Sequence, residues 1–282
     1  MDTLLEPFAY GFFRHAIWVA MLTGGLCGLV GTYVVLRGMS YIGHGLSHAI
    51  FGGAAAAFAL NANFYAGAFI WGFVAAVLIN GVSRRRTIGA DAAIGVITSA
   101  SFAIGIAIIS VAGGFTRNFE AALFGNVLGV SLGDVIIVGV VAVITGMIVF
   151  LRYRPLLFTT FDPEVAEVSG VSTMWIDLIL AMVLASTITV TMNVVGVMLI
   201  AAVLVIPPVI ARLLTDSFHR MLWISVGTGA LCGFLGVYLS YYLDWSSGAT
   251  VVLTAAALFV VAYVVSALRN RRAMPDVGFD VH

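Results

Sequence analysis

The stretch FFRHAIWVAMLTGGLCGLVGTYVVL, residues 12–36, contains two basic side chains, Arg14 and His15, and no acidic one. Both basic residues stand at its start, so residues 16–36 are uncharged and mostly apolar. About 20 such residues are needed for a helix to cross the hydrocarbon core of a bilayer. The stretch therefore predicts a transmembrane helix, and the rest of the chain repeats its pattern.

The composition of the whole chain fits a protein that lies in lipid. Of its 282 residues 62% are hydrophobic and 9% are charged, and the mean hydropathy is +1.12, whereas about 25% of a soluble domain is charged. We predict an all-α integral membrane protein, a single domain over residues 1–282 that forms a polytopic bundle of eight or nine transmembrane helices. Two of the apolar runs, 44–60 and 195–214, are short or interrupted, which leaves the number of crossings open. The nine runs are 12–36, 44–60, 64–82, 92–112, 135–151, 176–191, 195–214, 221–243 and 249–268.

Arginine sets the expected orientation. The chain has 13 basic residues, all of them arginine, and positive side chains favour cytoplasmic loops. With the N-terminus outside and nine crossings, only Arg14 and Arg117 fall on the outer side. The C-terminus, with a polar tail at 273–282, is thus predicted to be cytoplasmic, and eight crossings would move only the N-terminus. The net charge of zero gives no reason to expect a nucleic acid as partner; the expected surroundings are membrane lipid.

Two histidines form the sharpest local feature, in the sequence Gly43-His44-Gly45-Leu46-Ser47-His48. Residues four apart share one face of a helix. Two neutral imidazoles at that spacing can bind one borderline metal ion, most commonly zinc. We predict a metal site at His44 and His48; the alternative is that they bond to backbone or to each other and only stabilise packing.

Three further polar residues are candidates for lining a pathway through the bundle. Ser47 lies between the two histidines, Asp91 opens one apolar run and Asn193 lies near the end of another. Polar groups within membrane spans commonly face a cavity or a pathway. Asp91 can instead cap its helix, and Asn193 can instead mark a turn.

Two segments between runs are predicted to lie on the cytoplasmic side, and the second is a candidate for contact with a partner there. The first is residues 162–170, where Asp162 is a good helix cap, Pro163 suits the first helical position and Gly170 a helix end. The second follows Pro207 and Pro208, which we expect to break the helix and turn the chain, leaving an amphipathic piece at 211–220. The alternatives are a solvated loop helix and a proline-kinked end of a span.

Several short motifs, each weak alone, occur together in an order and spacing that resemble the permease subunits of bacterial ATP-binding-cassette importers for zinc and manganese. The resemblance covers residues 8 to 268 or so. It is carried by Leu36-Arg37-Gly38-Met39-Ser40-Tyr41-Ile42-Gly43, Ser47-His48-Ala49, Asp91-x-x-Ile94-Gly95, Leu123-Phe124-Gly125, Phe161-Asp162-Pro163-Glu164-x-Ala166, and Gly196-Val197-Met198-Leu199 through Pro207 to Ala211-Arg212-Leu213.

The resemblance implies a non-catalytic translocation subunit of the bacterial plasma (inner) membrane, with the helical fold of vitamin B12-type importers. Its implied partners are a cytoplasmic ATP-binding-cassette ATPase, an extracytoplasmic metal-binding protein and a second permease copy, most simply as a homodimer. No cofactor is bound permanently; zinc or manganese is the transported ion. By the same analogy the ATPase-coupling segment is 207–220, with a second cytoplasmic helix close by. The coupling residues it suggests are Pro207, Ala211, Arg212, Thr215, Asp216, Asp162 and Glu164.

One position departs from the family pattern and bears on the metal. Members usually carry aspartate where this chain has His44. A pair of imidazoles lacks the hard oxygen ligand that suits manganese, which favours zinc over manganese; the departure also leaves open that His44 is not a ligand.

Two other functions compete with that of a permease. An ATPase-independent secondary transporter or channel is disfavoured because most runs lack charged residues deep inside for ion coupling. A membrane enzyme would need a third ligand or a base near the histidines, and no acidic residue is nearby. The chain has no lysine and hence no phosphate-binding loop, so ATP hydrolysis is expected on a separate subunit.

Overall fold

The computed structural model describes residues 6–83, 90–112, 123 and 125–273, and every regular element within them is helical, which confirms the predicted all-α fold. Short 3-10 turns lie at Glu6–Ala9 and Val127–Gly129. The α-helices are α1 (Gly11–Leu36), α2 (Ser40–Ala59), α3 (Phe64–Ser83), α4 (Ala90–Ala112), α5 (Leu132–Leu151), α6 (Tyr153–Phe161), α7 (Pro163–Val168), α8 (Thr173–Val195), α9 (Ile200–Leu214), α10 (Phe218–Leu243) and α11 (Ser247–Ala273).

Seven of these helices, α1, α3, α4, α5, α8, α10 and α11, are long and apolar enough to cross a membrane. The two short apolar runs form α2, of 20 residues, and α9, of 15 residues. Most of α2 is buried among α3, α4, α8 and α9. Its glycine- and alanine-rich sequence therefore packs against protein and needs less apolarity than a lipid-facing span. The polytopic bundle is confirmed.

Helices α1 and α10 pack closely through small residues. A Cβ atom added at Gly24 would overlap the carbonyl oxygen of Gly229, and one added at Gly28 would overlap that of Ser225. The Ser225 hydroxyl donates a hydrogen bond of 2.7 Å to the Gly28 carbonyl. Small residues allow such close approach of helices in lipid, and Gly24 and Gly28, four apart, form the small-xxx-small pair that favours it.

Several arginines gather at one end of the bundle, which we call the arginine end. Arg37 follows α1, Arg152 separates α5 from α6, and Arg220 lies in the first turn of α10. Phe218 joins these segments because its ring packs 5.5–6.0 Å, between centroids, from those of Tyr33, Tyr153 and Phe161.

Candidate functional site

His44 and His48 lie one turn apart on α2, and their ring centroids are 4.6 Å apart at an interplanar angle of 77°. Both side chains are half-buried. The ring of Phe102, from α4, meets His48 edge-on at 5.1 Å, and Tyr41 lies 5.7 Å from His44. The structure therefore brings the two predicted metal ligands together and flanks each with an aromatic ring.

Glycines of α2 fix the direction in which the imidazoles point. A Cβ atom added at Gly43 would overlap the side chain of Leu204 in α9, and one added at Gly52 would overlap the carbonyl of Ser101 in α4. Gly45 likewise packs against α4. With 100° between successive residues of a helix, the histidines occupy the face between these two packed sides. That face is the open one on this part of α2.

One ring nitrogen of His48, Nδ1, is buried and is unpaired among the residues that the structure describes. A buried polar atom without a partner is unfavourable by about 1–3 kcal/mol, and a metal ion would supply the missing interaction. Across the described ranges, no group of three or more His, Cys, Asp or Glu side chains could hold a metal. The pair would thus supply two ligands to an ion. The remaining coordination positions would be filled by water or by another chain.

Ser47 connects the histidine helix to a break in the helical backbone. Its hydroxyl is buried and lies 2.8 Å from the His44 carbonyl and 3.3 Å from the Val197 carbonyl. Ser47 is seven residues into α2, about 10 Å along a helix. The predicted role in lining a pathway stays a prediction, while the structural role is to hold α2 against this break.

The break is the turn 196–199 between α8 and α9. Gly196 has φ +93°, a conformation that favours glycine, and Met198 donates a backbone hydrogen bond of 3.3 Å to the Leu123 carbonyl. Non-helical backbone at membrane depth is tolerated only where it is buried in protein or lines a cavity. Asn193 lies in the last turn of α8 and Asp91 in the first turn of α4; their side chains lie outside the described structure, so both stay predictions.

At the arginine end, the predicted short helix at 162–170 is confirmed as α7. The Asp162 carboxylate accepts a 3.0 Å hydrogen bond from the Val165 N–H, and Pro163 is the first helical residue. Gly170 has φ +81° and donates to the Glu167 carbonyl, while Val171 donates to the Ala166 carbonyl. These bonds close the helix in the way glycine permits. The exposed Asp162 and Glu164 are presented at this end.

Sequence reasoning missed a network centred on Arg37. Its guanidinium donates to Asp177 at 2.6 Å, to Thr159 at 2.8 Å and to Thr160 at 3.1 Å. The side chain of Arg37 is only 10% exposed. The network joins the end of α1 to α6 and to the start of α8. A buried arginine requires such partners. The sequence feature that could have indicated the network is Asp177, a single acidic residue in an otherwise apolar run.

The expectation that Pro207 and Pro208 break the helix is wrong: α9 continues through both to Leu214. A proline removes the hydrogen bond to the carbonyl four residues earlier, which for Pro208 is that of Leu204. Gly31 of α1 packs directly on that carbonyl. Because Gly31 has no side chain, α1 packs directly against α9 at this point, and support from neighbouring helices allows a membrane helix to continue through proline.

The segment 211–220 accordingly forms no separate helix. Ala211 and Arg212 belong to the last turn of α9, Thr215 and Asp216 to a three-residue link, and Arg220 to α10. Ala211 is buried, and Arg212 and Asp216 are exposed. Phe218, just after the link, contacts Phe161 at the end of α6, so both predicted coupling segments lie side by side at the arginine end.

Comparison with known proteins identifies the family of this chain. The family model for the ABC 3 transport family matches residues 9–266. The chain belongs to the ABC 3 transport family. The match includes both histidines, the turn 196–199 and α6–α7, and it confirms the resemblance to importer permeases.

This ABC 3 family protein has relatives of nearly equal length. It is 38% identical to the manganese transport system membrane protein MntB of Synechocystis sp., with 93% of this chain and 85% of that one aligned. It is 34% identical to the chelated iron transport system membrane protein YfeC of Yersinia pestis, over 93% and 89% of the two chains. The solved structure of PsaBC from Streptococcus pneumoniae in complex with Fab includes a chain that is 31% identical, with a TM-score of 0.84 and coverage of 93% and 95%.

Ala273, the first residue of the tail predicted at 273–282, is the last residue of α11 in this ABC 3 family protein. The remaining tail residues, 274–282, lie outside the described structure. The family match also stops short of the tail, at residue 266. The prediction that the tail is a polar extension of the domain therefore stands as made.

Proposed function

We propose that this multi-pass membrane protein is the permease subunit of an ATP-driven importer for a divalent transition metal. The observation that carries the proposal is the pair of adjacent imidazoles on the open face of α2, with one buried ring nitrogen lacking a partner, in a member of the ABC 3 transport family. Two relatives, aligned over 85% and 89% of their lengths, are named for transport of manganese and of chelated iron.

His44 and His48 are proposed to form a transient, weak binding site for the ion. Imidazole nitrogen is a common ligand of divalent first-row metals, and two ligands hold an ion less tightly than the four of a structural site. Tight binding would slow release. The turn 196–199, tied to α2 through Ser47, is non-helical backbone beside this site and can change conformation without unwinding a helix.

The donor set and the relatives favour different metals. Two imidazoles without a carboxylate favour zinc over manganese, so zinc is the proposed cargo. Manganese is the second candidate, and the names of the relatives favour it. Competition of the two ions for uptake distinguishes them: excess zinc is expected to block manganese uptake more strongly than the reverse, and His44→Asp is expected to shift that order toward manganese.

The arginine end is proposed to face the cytoplasm, because positive side chains favour that side; this places the C-terminus of α11 there too. The short helices α6 and α7, together with the link after α9, are proposed as the contact with a cytoplasmic ATPase that hydrolyses the ATP. They carry exposed charges, Asp162, Glu164, Arg212 and Asp216, and the Arg37 network connects α6 directly to the spans α1 and α8.

Two further partners are proposed. The open face that carries the histidines lies between α4 and α9, and a second copy of the chain is the occupant that the ABC architecture suggests. An extracytoplasmic metal-binding protein would deliver the ion at the other end. The location is the plasma membrane of a bacterium.

Reconstitution into vesicles tests the function directly. The chain is inserted together with its proposed ATPase partner. Zinc and manganese flux is then measured with ATP, and with ATP plus an ATPase variant that cannot hydrolyse it. ATP-dependent flux supports the proposal. Flux of the same size without an ATPase would contradict it and favour a secondary transporter or channel.

A further inference from the structure

A deep groove of about 930 Å³ lies on the opposite side of α1 from the histidine helix, between α1, α5 and α10. Its walls are apolar along their length, with Leu22 and Leu29 from α1, Gly146 and Phe150 from α5, and Leu222 and Val226 from α10. In a protein surrounded by lipid, such a groove is open to acyl chains.

The charged and titratable side chains that line the groove lie at its arginine end. Arg154, His219 and Tyr153 line it there, and Trp223 lies 6.3 Å, between ring centroids, from His219. Arg154 and His219 are exposed, and Arg154 forms no ion pair with any residue that the structure describes. Tryptophan and tyrosine are enriched at the boundary between hydrocarbon and water, so this end lies at the level of lipid headgroups.

The length of the groove matches one leaflet. Its lining on α10 runs from His219 to Ala230, which is about 16 Å along a helix. The hydrocarbon core of a bilayer is about 30 Å thick. A chain that begins at the headgroup level and follows the groove therefore ends near the middle of the membrane.

We propose that this groove binds one anionic phospholipid, with its phosphate at Arg154 and His219 and an acyl chain along the apolar walls. Basic pockets between transmembrane helices are known sites for anionic headgroups, and the planar guanidinium of arginine suits a phosphate. The site is distinct from the proposed metal pathway and does not depend on it. It would stabilise the contact of α5 and α6 with α1 and α10, at the point where the span α5 ends and the short helix α6 begins.

Recognition of the headgroup is tested by native mass spectrometry. The full chain is purified, freed of lipid and then mixed with phosphatidylglycerol and phosphatidylcholine that have identical acyl chains. The wild type is expected to retain phosphatidylglycerol preferentially. Arg154→Gln is expected to lower that preference about fivefold, the contribution of one arginine near a membrane surface. Arg269→Gln, an exposed arginine outside the groove, serves as the control and should leave it unchanged. Equal retention of both lipids by the wild type, or an unchanged preference in Arg154→Gln, would overturn the proposal.

Binding of the acyl chain is tested by filling the groove. A Cβ atom added at Gly146 meets no atom within 4 Å, so Gly146→Leu projects into the groove without displacing backbone. Retention of both lipids at this site is expected to fall about tenfold, as for a side chain that occupies the ligand's place. Gly227→Leu, on α10 outside the groove and equally unobstructed, is the matched control. Unchanged retention in Gly146→Leu would show that no acyl chain lies in the groove and would overturn the proposal.

Discussion

The hydroxyl of Ser47 lies 3.3 Å from the carbonyl oxygen of Val197, across 150 residues of sequence. This contact joins the helix that carries both histidines to the non-helical turn between α8 and α9. Because the same hydroxyl also lies 2.8 Å from the His44 carbonyl, a displacement of the turn must either move the histidine helix or break the contact.

Ser47→Ala removes this connection and leaves the Val197 carbonyl buried without that donor. We expect the protein to be less stable by about 1 kcal/mol and the turn to become more accessible, measured by thermal denaturation in detergent and by labelling of Met198→Cys. Ser186→Ala is the control, since the Ser186 hydroxyl bonds only to its own helix, at Met182. Equal effects of the two substitutions would show that the Val197 contact contributes nothing.

Gly31→Ala tests how α9 tolerates its prolines. The added methyl group would overlap the Leu204 carbonyl and approach Pro208, forcing α1 and α9 apart, so a loss of about 1–3 kcal/mol is expected from overpacking. The measurement is again thermal denaturation in detergent. Gly227→Ala, where an added methyl group meets no atom within 4 Å, should leave the melting temperature unchanged or raise it; similar losses at both positions would contradict the account.

The Arg37–Asp177 pair is expected to couple α1 to α8. Its two side chains are 10% and 30% exposed, so the solvent screens the pair only partly. A double-mutant cycle with Arg37→Gln and Asp177→Asn should give a coupling energy of about 1–2 kcal/mol in thermal stability. Strictly additive losses would mean that the ion pair does not couple the two helices.

Asp162 is expected to matter to the ATPase contact through the helix it caps. Asp162→Ala removes the bond to the Val165 N–H and should destabilise α7 by about 1 kcal/mol, which weakens association with the ATPase partner. Asp162→Ser retains a capping oxygen and should restore association, measured by co-purification and by transport-coupled ATP hydrolysis. If Asp162→Ser fails as fully as Asp162→Ala, the carboxylate contacts the partner itself and capping is not its role.

Much of the fold follows from local sequence. Hydropathy located the spans, because each lipid-facing helix must be apolar for about 20 residues. The cap at Asp162 and the stop at Gly170 act within a few residues of chain, so α7 could be predicted as well. The i, i+4 spacing was enough to place His44 and His48 on one face.

Other features depend on contacts that sequence alone does not give. Pro207 and Pro208 predict a break locally, yet α9 continues through both. It packs there against Gly31 of α1, which is far away in sequence. The partners of Arg37 come from α6 and α8, more than 120 residues on. The Ser47–Val197 contact is equally distant, so it could be found only once α2 and the turn 196–199 were placed.

The central claim is that the two histidines of α2 contact the transported ion. The most direct measurement is zinc and manganese uptake by cells that carry the complete transport system with His44→Ala, His48→Ala or, as control, His15→Ala, a half-buried histidine near the start of α1. At equal membrane abundance, uptake should fall about tenfold or more in the first two variants and should be unchanged in the third. Loss of a group that only supports a metal ligand already lowers affinity or activity by about tenfold, and loss of a ligand should have at least that effect. Wild-type uptake by His48→Ala would contradict the claim.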